Sequence, residues 1–144
     1  MSEFTELVDG IIHEPTQTAG HGLDLTVANI YVVETPGRVD FGGGELEDAS
    51  VSPHEREKRN PDDDYEWWNL DAGTYLIEYN ESLVGGTRVT VQPREAVLER
   101  GVSHPTIRVS SLPRVPLTVG GAGLKIKENA RLSTVVDSAP TQNA

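Results

Sequence analysis

One junction in the chain has residue types that could hold a ligand. A strand-like stretch, Thr90–Pro93, meets a polar, helix-tolerant one that reads Glu95-Ala96-Val97-Leu98-Glu99-Arg100, and Arg94 stands between them. A guanidinium placed there can grip phosphate through charge-assisted, forked hydrogen bonds. Glu95 opposes that grip: at an effective dielectric near ~20, two unit charges about 4 Å apart interact by roughly 4 kcal/mol, less in strong salt. A divalent ion bridging Glu95 to the phosphates would reverse the sign. Arg94 also has a plainer role open to it, an ion pair with Glu95 or Glu99.

Other constellations are weaker. Arg108–Arg114 (RVSSLPR) joins hydroxyls to arginines, but Pro113 and Pro116 suit a loop or an edge strand. Trp67 and Trp68 could stack on a base. Adjacent strand residues face opposite sides, so at most one would do so, and packing is the favoured role. His13, His21, His54 and His104 lack ligand-like spacing, so no metal site is expected. Asp62, Asp63 and Asp64 read as part of a solvated loop.

The elements that would position these residues are mostly strands. Leu23, Leu25 and Val27 alternate with polar neighbours, and Ile30–Val33 continues as a buried run. Strands are also predicted around Tyr75–Tyr79, through Thr87–Pro93, and in three short pieces between Pro105 and Val136. Pro36-Gly37-Arg38 marks a turn and Phe41–Asp48 a loop or hairpin tip. Ser52–Asp64 is charged and free of aliphatic residues, which predicts a solvated surface loop. Phe4, Leu7, Ile11 and Ile12 approach helical spacing and predict a short N-terminal helix ending near Gly10. The pattern is that of an all-β sandwich or barrel. A single domain over residues 1–136 is expected, with a polar tail over 137–144.

Charge narrows the partners. Asp and Glu number 23 against 12 Lys and Arg, for a formal net charge of −11, and the lysines are Lys58, Lys125 and Lys127 alone. Such a surface disfavours nucleic acid, which needs a basic face. It suits a host with molar internal salt. No apolar run is long enough for a membrane helix, no signal sequence is visible, and the absence of cysteine excludes disulfides and thiolate metal sites. The expected location is the cytoplasm, or a virion assembled there.

Four stretches in order carry a family resemblance: His21–Val27 (HGLDLTV), Leu70–Leu83 (LDAGTYLIEYNESL), Val91–Val102 (VQPREAVLERGV) and Ile126–Val136 (IKENARLSTVV). They resemble the motifs of the dUTPase and dCTP-deaminase superfamily, particularly its archaeal branch: D-L-T, then L-x-x-G-x-Y-L-x-x-x-N-E, then P-R-S-S-L-x-R-x-G, then N-A-R-I-x-Q. The resemblance implies a distorted β-barrel or jelly-roll of the β-clip type, assembled as a homotrimer with nucleotide sites between subunits. It also implies Mg²⁺-dependent hydrolysis of dUTP to dUMP and pyrophosphate, or deamination of dCTP.

The chain departs from that pattern at the chemical positions. Arg94 is kept, but Glu95 and Ala96 replace the two serines that would bind phosphate. Ser110 or Ser111 stands where a dUTPase carries the aspartate that activates water, and serine is a poor base at neutral pH. Pro116–Gly121 offers no acid where a deaminase carries glutamate, Thr134 replaces the terminal glutamine, and no glycine-rich closing arm follows.

The sequence therefore predicts a non-catalytic, homotrimeric dUTPase-fold module with a structural or interaction role, such as a capsid-surface or assembly protein of a halophile or its virus. Its partners would be other copies and other structural proteins, with no nucleic acid and no membrane. No catalytic residue is assigned. Arg94 and Glu95 are vestigial phosphate-site candidates, Ser110 and Ser111 mark the vestigial acid position, and Tyr75 and Tyr79 are base or sugar-pocket candidates. No metal is expected, and Mg²⁺ only with a bound nucleotide. Two alternatives stay open: an active dUTP diphosphatase or dCTP deaminase whose acid has moved to Glu95 or Glu99, and a deoxynucleotide sensor that binds through Arg94 and the Tyr75–Tyr79 strand without hydrolysis.

Overall fold

The computed structural model describes residues 2–137. In chain order the elements are α1 (Ser2–Thr5), β1 (Val8–Asp9), α2 (Glu14–Gln17), β2 (Leu23–Thr35), β3 (Ser50–Pro53), β4 (Trp67–Leu70), β5 (Gly73–Tyr79), β6 (Ser82–Leu83), β7 (Val89–Pro93), α3 (Glu95–Leu98), β8 (Val102–Ser103), β9 (Ile107–Val109), β10 (Val115–Val119), β11 (Leu124–Lys127) and β12 (Arg131–Asp137). Eight strands form one antiparallel sheet in the order β8-β10-β5-β2-β12-β7-β9, with β3 on β2; β1-β6 and β11-β4 form two small ribbons. The sheet is curled, as a dUTPase-like β fold requires.

The thirteen residues of β2 organise this sheet. Its start pairs with β12, its middle with β5 and its end with β3, and the ladder to β5 shifts between Val27 and Asn29. An irregularity of that kind bends a strand and increases its twist, which lets one strand serve several neighbours. Leu23, Leu25 and Val27 are completely buried and meet Ile77, Val91, Leu117 and Val135 in the core. Glycine is obligatory just before this strand: a Cβ on Gly22 would lie 1.9 Å from the Val135 carbonyl oxygen.

One expectation needs correction and another needs refining. The N-terminal helix stops at Thr5, because Val8 is buried and pairs with Leu83 in an antiparallel ribbon. The charged segment Ser52–Asp64 is exposed over most of its length, as a solvated loop would be, but it is tied down at several points. Ser52 and Pro53 complete β3, Glu57 exchanges backbone hydrogen bonds with Trp67, and Arg56 and Arg59 lie 5.5 and 4.7 Å over the rings of Trp68 and Trp67. Guanidinium planes covering indole faces pin the segment down. The tail assigned to 137–144 lies outside the described residues, except for Asp137, which ends β12.

Buried polar chains complete the interior. Glu81 accepts hydrogen bonds from Thr26 N (2.9 Å), Thr26 Oγ1 (2.6 Å) and Gln17 Nε2 (2.9 Å). Gln17 also donates to the Asp24 carbonyl (2.8 Å) and accepts from the backbone N–H of Ile12 and His13 (2.9 Å each). The short helix α2 is thereby fixed against β2. Burial pushes the Glu81 carboxyl above its ordinary range, while these donors pull it back.

A second chain runs from Tyr79 to Ser133 (2.6 Å) to His104 Nε2 (2.7 Å), while His104 Nδ1 lies 2.9 Å from the Pro105 carbonyl oxygen. That carbonyl can only accept, so Nδ1 carries the proton, Nε2 accepts from Ser133, and Ser133 accepts from Tyr79. Burial lowers the His104 pKa and raises that of Tyr79 to about 12. The unfolded chain, with tyrosine near 10, ionises first as pH rises. Stability from Tyr79 is therefore full below pH 10 and is lost toward 12, by roughly 2–3 kcal/mol. Denaturant unfolding across that range should show the decline in the native protein and a flatter profile in Tyr79→Phe.

Candidate functional site

Strand alternation turns Asp24 to the face of β2 opposite Leu23 and Leu25. Its side chain is only 7% exposed, and three donors converge on it: Thr134 Oγ1 (2.7 Å), Arg131 Nη1 (3.0 Å) and Arg94 Nε (3.3 Å). The β2–β12 register sets Thr134 directly opposite Asp24. Arg94, the residue that caps α3 in an extended conformation, also donates from Nη1 to the Arg131 carbonyl (3.3 Å). Arg131 in turn reaches the Thr16 carbonyl (3.2 Å). One carboxylate thus holds two guanidiniums and joins β2, β12 and the β7–α3 junction.

A cleft of about 500 Å³ opens beside this cluster, lined by Ala19, Gly20 and His21, by Pro93 through Ala96 with Glu99, and by Asp24, Arg131 and Thr134. That volume lies in the range of small-molecule sites. Two cations against Asp24 leave a surplus of one positive charge, while Glu95 and Glu99, both exposed, add carboxylates to the lining. Cations beside exposed carboxylates suit a polyphosphate carrying a divalent ion. No group of three His, Cys, Asp or Glu side chains gathers among the described residues. Mg²⁺ commonly uses one or two carboxylates plus substrate phosphates, and Glu95 and Glu99 are chemically suited to that share.

The residues singled out by sequence fall in different places. Arg94 and Glu95 both line the cleft. The partner of Arg94 is Asp24, rather than Glu95 or Glu99 as its plainer role would have it, because strand pairing brings Asp24 against it from the other side. Glu99 instead lies 3.7 Å from Arg100. Ser110 and Ser111 are exposed between β9 and β10 and do not line the cleft. Tyr75 and Tyr79 are buried on the core face of β5, with their hydroxyls on the Asp71 carbonyl (2.8 Å) and Ser133; neither lines the cleft. Trp68 is core and Trp67 half-buried, in keeping with their alternation. The sequence did not single out Asp24 or Arg131. Their signal was present: an acid between two core leucines, and an arginine opening the last strand.

No protein-family model matches the chain. Over 133 residues it is 28% identical to a probable deoxyuridine 5′-triphosphate nucleotidohydrolase of Methanosarcina acetivorans, covering 88% of this chain and 74% of that protein. A protein of the same description from Methanosarcina mazei is 26% identical over the same spans. Both similarities support a place in the dUTPase superfamily. Within that superfamily's Pro-Arg motif, Glu95 and Ala96 stand in the serine positions, yet the segment still borders a cleft.

Removing the charge of Asp24 leaves two guanidiniums facing each other without their acid. Breaking a buried pair in this way costs about 3 kcal/mol or more. Asp24→Asn should lose that much in denaturant unfolding, and an unchanged midpoint would show that the cluster does not hold the three elements together.

Proposed function

We propose that the chain binds dUTP in the Arg94 cleft and hydrolyses it to dUMP and pyrophosphate. The observation that carries this reading is the convergence of Arg94, Arg131, Glu95 and Glu99 on one cleft, at the segment that resembles the family's phosphate motif. The names given to the Methanosarcina relatives support it, and they weigh against the non-catalytic module that the altered motifs alone favour.

In this reading Arg94 and Arg131 neutralise the phosphate chain while Asp24 holds both in place. Glu95 or Glu99 takes the proton from the attacking water, a role that needs a carboxylate within hydrogen-bond reach. Glu95 and Glu99 would be the residues to share a Mg²⁺ ion with the triphosphate, and that ion would supply positive charge against its oxygens. A homotrimer, usual in this superfamily, belongs to the proposal, because the family builds its sites between subunits.

A second reading keeps the fold without the reaction, as a structural or interaction module or a nucleotide sensor. Its specific support is chemical: Ala96 cannot donate a hydroxyl, and Ser110 and Ser111 are exposed serines where a base is needed.

Pyrophosphate release from dUTP and from dCTP in molar KCl with Mg²⁺, paired with thermal melting, separates the two. The hydrolase reading expects turnover of dUTP. A charge-assisted contact is worth ~1.5–3 kcal/mol, so Arg94→Lys, which keeps the charge and loses the fork, should cut kcat/KM about 10- to 100-fold. Glu95→Ala or Glu99→Ala should lower kcat, whichever carries the base. A melting shift without turnover would establish the sensor. Neither shift nor turnover, from a protein that melts cooperatively, would leave the module.

A further inference from the structure

The excursion between β2 and β3 is unusual for a surface loop. Its tip exposes Val39 at 90% and Leu46 at 64%, and Phe41 is fully exposed. It is nevertheless built rather than loose. Arg38 and Glu47 exchange two backbone hydrogen bonds (2.8 and 2.9 Å), and their side chains pair at 3.1 Å. Both carboxylate oxygens of Asp40 accept backbone N–H groups, from Gly43 (3.0 Å) and Glu45 (2.9 Å). Gly37 allows the close crossing, since a Cβ there would come within 2.5 Å of the Glu47 carbonyl oxygen. A pre-organised loop that holds apolar side chains in water has already met much of the ordering cost of binding.

The same chain carries a matching surface. An apolar groove of about 230 Å³ is lined by Trp67, Val97, Leu124 and Leu132 among others, and its charged lining residues are Arg100, Lys125 and Lys127. Two of the three lysines in this acidic protein therefore stand at one groove. The loop from Gly37 to Asp48 has four acids, Asp40, Glu45, Glu47 and Asp48, against Arg38, a net charge of −3. The groove lining contributes three cations and no acid.

The chain does not close this contact on itself: no residue of the loop lines the groove, and Phe41 is fully exposed. Leu132 lies beside the start of β2, where Arg131 faces Thr26, and the loop leaves from Thr35. The nine intervening strand steps cover about 30 Å, and the Arg38–Glu47 bridge holds the tip at the far end.

We propose that the Gly37–Asp48 loop of one copy docks into the Trp67–Leu132 groove of a second copy, with Phe41 as the anchor and the acids of the loop meeting Arg100, Lys125 and Lys127. Knob and groove are different patches, so the contact is head-to-tail and either closes into a ring or extends. Ala96 lines both this groove and the Arg94 cleft, so a docked loop would brace the helical turn that carries Glu95.

The test reads mass rather than turnover, so its result is independent of whether dUTP is hydrolysed. Sedimentation equilibrium of the full chain should give a multiple of the protomer mass, and Phe41→Asp should return the protomer with an apparent Kd raised about a hundredfold or more. Phe41 touches nothing in its own chain's core, so the variant should keep the cooperative melt of the monomer. The cysteine-free sequence permits a direct check. Mixed copies of Phe41→Cys and Leu124→Cys should oxidise to a disulfide-linked pair, and neither alone should do so. A monomeric native protein, assembly unaffected by Phe41→Asp, or cross-linking of Phe41→Cys to itself would each overturn the proposal.

Discussion

The carboxylate of Asp24 is the constraint on which the site depends. It stands on a strand whose alternate residues form the core, and it is largely shielded from water there, at the wall of the cleft. A buried carboxylate without partners is expensive, so β12 and the β7–α3 junction must approach closely enough to supply Arg131, Thr134 and Arg94. The position of the cleft follows from that approach. Its cationic side is the part of Arg94 and Arg131 that Asp24 leaves free to face a ligand.

Polar chains elsewhere work with the apolar core rather than against it. Glu81 and Gln17 bind the N-terminal segment to β2, and α2 then brings Ala19, Gly20 and His21 to the cleft. Tyr79, Ser133 and His104 link β5, β12 and the residue after β8 through one consistent run of donors. Each hydrogen bond adds little on its own, about 1 kcal/mol, but leaving one buried member unpaired costs more than making it gains. These chains therefore specify one arrangement of strands that apolar packing alone would leave less sharply defined.

The departures from the family pattern have a local physical meaning. Glu95 in place of a serine is not paired with Arg94, whose Nε is held by Asp24, so that arginine does not offset the repulsion expected between an acid and a phosphate. The carboxylate instead lies in the cleft lining with Glu99, where acids can share a divalent ion or take a proton. Ala96 has no such compensation, because its methyl group can neither donate nor accept a hydrogen bond.

Much of the architecture was legible in the residues. Alternation at Leu23, Leu25 and Val27, the buried run Ile30–Val33 and the strand pattern around Tyr75–Tyr79 are local patterns, and the strands formed where they stood. Arg94 and Glu95 were also legible, because a charged junction between a strand and a helical turn is visible within a few residues. Short-range spacing misled at Phe4, Leu7 and Ile11, where pairing of Val8 with Leu83 outweighed a weak helical period. It fell short in the exposed charged segment, where Trp68 and Trp67 of β4 recruited Arg56 and Arg59. The sequence by itself determined the strands, the acidity and the Pro-Arg junction, since each is a property of neighbouring residues. Only the tertiary structure decided that Asp24 would own Arg94, that Arg131 would join them and that Tyr75 and Tyr79 would turn to the core. Those outcomes depend on pairings between residues dozens of positions apart, and a one-residue change of register would send every one of these side chains to the opposite face.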